Sequence, residues 1–198
     1  MVERFDLAGI VANRLVAIQD VQSGGMILPD EDAGEEVGEV CFSGGAGIAM
    51  AATGKIEQAQ RMADCFVALL DVQPEKERFY NRFRRNDSVV ARPAKGEWRK
   101  MYDLSEEEQC PANFATVVNT LVWVERATHD ILLRCGEAVR RSGILVYSHK
   151  LDSAWFGCAT KFGWAILNLY EETGDGDLLT HAQHLGEVLV SHQCNDGL

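Results

Sequence analysis

Apolar residues recur along much of the chain at the three- and four-residue spacing of amphipathic helices. In the segment around Ala63–Gln73 (ADCFVALLDVQ), Met62, Cys65, Phe66, Leu69, Leu70 and Gln73 fall on one helical face. An earlier segment echoes it. Ala12–Gln22 reads ANRLVAIQDVQ, identical at six of eleven positions without a gap, at an offset of 51 residues. The swaps Leu15/Phe66 and Ile18/Leu69 replace apolar with apolar. A weaker copy, Ala182–Gln193 (AQHLGEVLVSHQ), fits with one extra residue, and a fourth near Glu137–Gly143 keeps little beyond its position. A loose period of 50 to 70 residues, with connections absorbing the difference, marks a helical repeat.

Between these copies lie segments of a second kind. Phe42–Thr53 (FSGGAGIAMAAT), Ala112–Thr128 (ANFATVVNTLVWVERAT) and Ala154–Thr173 (AWFGCATKFGWAILNLYEET) are rich in small residues and apolar on several faces. That pattern predicts buried helices. Gly54 and Gly174 directly follow two of them and suit the left-handed position that stops a helix. The chain therefore reads as an alternation: outer amphipathic helix, long loop, inner buried helix, short turn. About seven helices result, giving one all-α domain over residues 1–198 built of antiparallel helical hairpins. Three long connections remain, Ser23–Val40, Pro74–Gln109 and Gly143–Ser153. The middle one is expected to carry a short β-hairpin formed by RFYNRF and DSVVARP. No run supports a βαβ sheet.

Composition narrows the partners. The 46% hydrophobic and 25% charged fractions are those of a globular protein. A formal net charge of −11 argues against nucleic acid and against anionic membrane surfaces, both of which need clustered Lys and Arg. No stretch is apolar enough to cross a membrane, and no basic segment followed by an apolar run opens the chain, so no signal peptide is expected. Six scattered cysteines without a CxxC pair suggest reduced thiols in the cytoplasm. Cys41, Cys110 and Cys158 each precede or open an inner helix. Without an adjacent Cys-His pair they are expected to be small buried thiols rather than zinc ligands, and no metal or cofactor is expected. The GGAG of Gly44–Gly47 lacks the Lys-Ser/Thr of a P-loop and predicts close helix–helix contact instead.

The stretch Lys161–Leu198, with its "Y…TGD" turn and terminal "Q…DG", resembles the helical hairpin repeat of α/α-toroid proteins. The six-hairpin glycosidase superfamily is similar, including unsaturated glucuronyl hydrolases and sugar isomerases of the N-acylglucosamine 2-epimerase type. The repeats of terpenoid cyclases share the pattern, and GGAGIAMAATG is faintly similar to the lanthipeptide cyclase barrel. The resemblance implies part of a toroid, either as a piece of a longer chain or as a small array that closes by self-association.

On that reading the three long connections share one face, where loops and inner-helix N-termini favour hydroxyl-rich or anionic ligands. One connection is acidic: Asp30, Glu31, Asp32, Glu35, Glu36 and Glu39. The next mixes Arg82, Arg84, Asp87, Arg92, Trp98, Tyr102 and Asp103. The last holds Tyr147, His149, Asp152 and Trp155. Sugar chemistry uses carboxyl acid–base groups, aromatic platforms and arginine to grip a carboxylate. The candidate catalytic groups are therefore Asp87, Asp103, His149 and Asp152. Arg82, Trp98, Tyr102, Tyr147 and Trp155 are the candidates for binding a saccharide or other small molecule. A solvated acidic rim with tryptophans packing the loops is the plainer account of the same residues. Three functions stay open: a carbohydrate-active hydrolase or epimerase, a non-catalytic helical interaction module, and a terpenoid-cyclase-like enzyme.

Overall fold

In the computed structural model the described residues are 7–30, 34–72, 79–86, 109–128 and 156–191. They form six helices and five short strands, in the order α1 (Leu7–Ile18), β1 (Ile27–Asp30), β2 (Glu35–Glu39), α2 (Val40–Ala52), α3 (Ile56–Asp71), β3 (Phe79–Tyr80), β4 (Arg82–Phe83), β5 (Gln109–Cys110), α4 (Pro111–Thr128), α5 (Phe156–Thr173) and α6 (Gly176–Ser191). The protein is mostly helical, and it also carries small antiparallel sheets that an all-α reading does not include.

Two helical hairpins follow the expected alternation. The α2–α3 turn places Gly54 at φ +75°, and the α5–α6 turn places Gly174 at φ +67°, a region that costs glycine nothing. The Gly174 amide donates to the Tyr170 carbonyl at 2.8 Å and satisfies one of the orphan acceptors at the end of α5. Asp175 then caps α6, its Oδ1 accepting from the Asp177 amide at 3.1 Å. Pro111 opens α4 at the position where a missing N–H is harmless.

The inner helices α2, α4 and α5 pack side by side in a row, with α3 seated against both α2 and α4, α6 against α5, and α1 against α2. The row is parallel. Cys41 meets Asn113 and Thr116, while Gly44 and Gly47 farther along α2 meet Thr120 farther along α4. Asn119 meets Asn168, and Arg126 meets Glu171 and Glu172, so α4 and α5 also advance together. The GGAG glycines serve close approach, as expected. A Cβ on Gly47 would lie 2.8 Å from Thr120 Cγ2 and 2.9 Å from Met62 Cγ.

The core runs through this row. Met62, Phe66 and Leu69 of α3 are fully buried with Met50, Leu121 and Ile166, and Cys65 joins them. Each such aliphatic or aromatic side chain contributes roughly 1.5–3 kcal/mol by leaving water. The predicted face of α3 is thus the buried one; Gln73 lies outside the described residues.

Two expectations need correction, and a third meets an addition. The connection Ser23–Val40 is a hairpin: β1 pairs with β2 in antiparallel register, Ile27 opposite Gly38 through Asp30 opposite Glu35. DSVVARP, the expected partner of RFYNRF, lies outside the described residues. The two halves of RFYNRF split between sheets, Arg82–Phe83 pairing with β2 and Phe79–Tyr80 with β5. Phe83 explains the split, because its ring is fully buried against Gly25 and Gly38. A Cβ on either glycine would come within 2.5 Å of Phe83 Cε2.

Finally, the first repeat copy leaves the helix at Ile18 instead of continuing to Gln22. Asp20 offers its backbone an alternative: Oδ2 accepts from the Ser23 amide and from Ser23 Oγ, both at 2.8 Å. Gln19, buried, donates from Nε2 to the carbonyls of Gly24 at 2.6 Å and Gln58 at 2.9 Å, fastening this loop to the start of α3.

Candidate functional site

Of the nine candidate site residues, Arg82 alone is described. Asp87, Trp98, Tyr102, Asp103, Tyr147, His149, Asp152 and Trp155 lie outside the described residues. The β2–β4 pairing places Arg82 opposite Glu39, and its Nε donates to Glu39 Oε1 at 3.3 Å. Two more pairs repeat the arrangement. Arg84 grips Glu35 with two bonds, 2.8 and 2.9 Å, and Arg85 bridges Asp20 at 2.8 Å and Glu36. Among the described residues, Glu39 and Glu35 of the acidic connection thus meet Arg82 and Arg84 of the next one.

Their chemistry is mutual neutralisation. Arg84 has its pKa pushed further up, chiefly by the hydrogen bond to Glu35, and Arg85 likewise by its bonds to Asp20 and Glu36. At Asp20, partial burial pulls upward most strongly as a single cause. Bonds from Arg85 and from the Ser23 amide and hydroxyl together outweigh it and hold the carboxyl below its ordinary value. This cluster fastens the sheet to the start of α2. The Val40 amide, donating to the Asn81 carbonyl at 2.8 Å, adds to the fastening.

Cys41 corrects a further expectation. It is exposed in the first turn of α2, its thiol donating to Asn113 Oδ1 at 3.2 Å. Of these two described thiols, Cys65 is the buried one.

The more informative surface belongs to the inner helices themselves. Helices apolar on several faces were expected to be buried all round, yet α2 and α5 each expose one stripe. On α2 it comprises Phe42, Gly45 and Ala52, across the helix from Ser43, Gly47 and Met50, which face α3 and the core. On α5 it comprises Lys161, Trp164, Leu167 and Glu171, across from Ile166 and Leu169. Between them α4 turns the half-buried Thr116, Trp123 and Arg126 to the surface. Parallel helices with neighbours in the same rotational order expose the same side, so the stripes share the face of the row turned away from α3.

A polar seam crosses this face between α4 and α5. Asn168 Nδ2 donates to Asn119 Oδ1 at 2.8 Å in a buried contact. Arg126 donates to Asn168 Oδ1 at 3.2 Å, to Glu171 at 2.7 Å and to Glu172. Its guanidinium carbon lies 5.9 Å from the centre of the Trp123 ring, within reach of a cation–π contact. The bond to Glu172 is the main reason its pKa is raised. Trp123 Nε1 is a buried donor without a hydrogen-bond partner. Aromatic faces beside a few fixed polar groups are the usual lining of a small-molecule site.

Sequence reasoning passed over these residues because WVERAT and LNLYEET read as helix interior. The signal was the polar interruption at Asn119, Arg126 and Asn168 on otherwise apolar helices. His181 and His184 fall on α6. Among the described residues no helix is long and apolar enough to cross a membrane. No protein family, curated protein or solved structure matches the chain.

Proposed function

We propose that the chain is a carbohydrate-active enzyme of the six-hairpin type, a glycoside hydrolase or sugar epimerase, built as part of an α/α toroid. One observation carries the reading: parallel inner helices leave a common face bearing Trp164, Trp123, Arg126 and Glu171. Tryptophan faces stack on the apolar side of a sugar ring, and arginine and carboxylates meet its hydroxyl or carboxylate groups. Asp87, Asp103, His149 and Asp152 supply the acid–base chemistry, and Trp98, Tyr102, Tyr147 and Trp155 extend the binding surface.

The test is incubation of the full chain with neutral, N-acylated and uronate-containing saccharides, read by tryptophan fluorescence and by NMR of reducing ends and epimer ratios. Turnover of at least one class is expected. Asp103→Asn and His149→Ala should each lower it by roughly 10²-fold or more with helicity unchanged. Wild-type turnover in both variants would contradict the assigned groups, and a panel neither bound nor turned over would contradict the reading.

A second reading, a non-catalytic interaction module, draws on a different observation. Helix α1 exposes Leu7, Ile10, Val11 and Ile18 at helical spacing. Monomeric proteins rarely leave such an apolar stripe uncovered.

A further inference from the structure

Arginine is the usual grip for a ligand carboxylate, but at the α4–α5 seam that grip is already occupied. Each guanidinium nitrogen of Arg126 is engaged inside the protein. Nε donates to Glu172, Nη1 to Asn168 Oδ1 at 3.2 Å and Nη2 to Glu171 at 2.7 Å. The guanidinium carbon also lies 5.9 Å from the centre of the Trp123 ring. One cation between two carboxylates leaves the cluster with a negative charge. A ligand carboxylate reaching Arg126 would displace Glu171, exchanging one carboxylate for another and adding a third negative charge beside the first two.

Lys161, the cation on the same α5 stripe, does not alter this. It lies ten residues before Glu171, about 15 Å along the helix and beyond the ~8 Å screening length at physiological salt. What the seam does present to solvent is an acceptor. The Glu171 side chain is 65% exposed although Arg126 holds one of its oxygens, and a carboxylate accepts from hydroxyl groups. Trp164, 46% exposed, sits two helical turns earlier on the same side of α5. An aromatic platform and a hydroxyl acceptor thus share one stripe.

We infer that this face selects uncharged sugar rings over uronates, an inference that rests on the saccharide reading above. Glu171 accepts from ring hydroxyls and, by occupying Arg126, excludes a carboxylate from the same place.

Calorimetric titration of the full chain at physiological salt compares oligosaccharides that differ only at C6, in the glucose, galactose and mannose series, each neutral oligomer against its uronate. The neutral member of the pair that binds should bind at least roughly tenfold more tightly, the scale of a like-charge contact at a partly buried site. Glu171→Gln keeps an acceptor oxygen and the side-chain length but removes the charge and releases Arg126 Nη2. It should leave neutral binding within roughly threefold and tighten uronate binding roughly tenfold, the scale of one hydrogen bond to a charged group. Glu57→Gln removes a similarly exposed acid from α3 and should change neither, which separates a contact at Glu171 from the general field of a chain of net charge −11. A uronate preference in the wild type, a preference unchanged by Glu171→Gln, or an equal shift in Glu57→Gln would overturn the inference while leaving the saccharide reading standing. Absence of binding in every pair would contradict the saccharide reading and the inference with it.

Discussion

Asp20 shows how one side chain decides a local path. Its two oxygens take three donors, the Ser23 amide, the Ser23 hydroxyl and Arg85 Nε, and in doing so end α1 at Ile18, short of the position equivalent to the end of α3 at Asp71. The carboxyl is held below its ordinary value in the folded chain. Its contribution to stability is therefore complete above the unfolded-state pKa and is lost as pH falls through the lower, folded-state value. Asp20→Asn should cost about 1–3 kcal/mol at pH 7, the scale of losing hydrogen bonds to a charged group. It should also flatten the acid limb of a urea-unfolding series between neutrality and strongly acidic pH. An unchanged acid limb would mean that Asp20 is not held by these bonds.

Between elements, the α2–α4 seam depends on the absence of side chains. A Cβ on Gly44 would strike Thr116 Cγ2 and lie 2.9 Å from Thr120 Oγ1, whereas at Gly45, next along the helix, it would meet nothing within 4 Å. The two glycines therefore respond oppositely to one substitution. Gly44→Ala should destabilise by about 1–3 kcal/mol through overpacking. Gly45→Ala should stabilise by roughly 1 kcal/mol through helix propensity alone. Urea unfolding of the pair tests the seam, and equal effects would contradict it. The α4–α5 seam works differently. It is polar, with Asn119, Asn168 and Arg126 satisfying one another, and a buried polar pair of this kind specifies register as well as holding the helices together.

At the scale of the molecule, helical periodicity and the repeat were legible in the sequence: the buried face of α3, the Gly54 and Gly174 stops and the glycine-mediated contact all follow from local spacing. The hairpin at Ile27–Glu39 was not legible. Its second strand, EEVGE, is stabilised by partners 43 to 49 residues away, Arg82 and Arg84, and by the burial of Phe83 on Gly38. Nor could composition say which apolar face of α2 or α5 would be left open, since Phe42 and Trp164 are as hydrophobic as the residues buried beside them. That choice is made by the neighbouring helices. Of the candidate site, only Arg82 is among the described residues, and it meets Glu39 of the acidic connection. The sequence reading missed the α4–α5 seam.

The parallel row is the claim on which the shared face depends, and one cross-link examines it. Cys41 Sγ lies 4.0 Å from Thr116 Oγ1. Ala127, eleven residues on, sits about 16 Å farther along α4. Mild oxidation of the Thr116→Cys variant should therefore yield an intramolecular disulfide between positions 41 and 116 in peptide maps, while Ala127→Cys should give none to Cys41. A link from Cys41 to position 127 in place of 116 would mean that α2 and α4 run in opposite directions, and the account would fail.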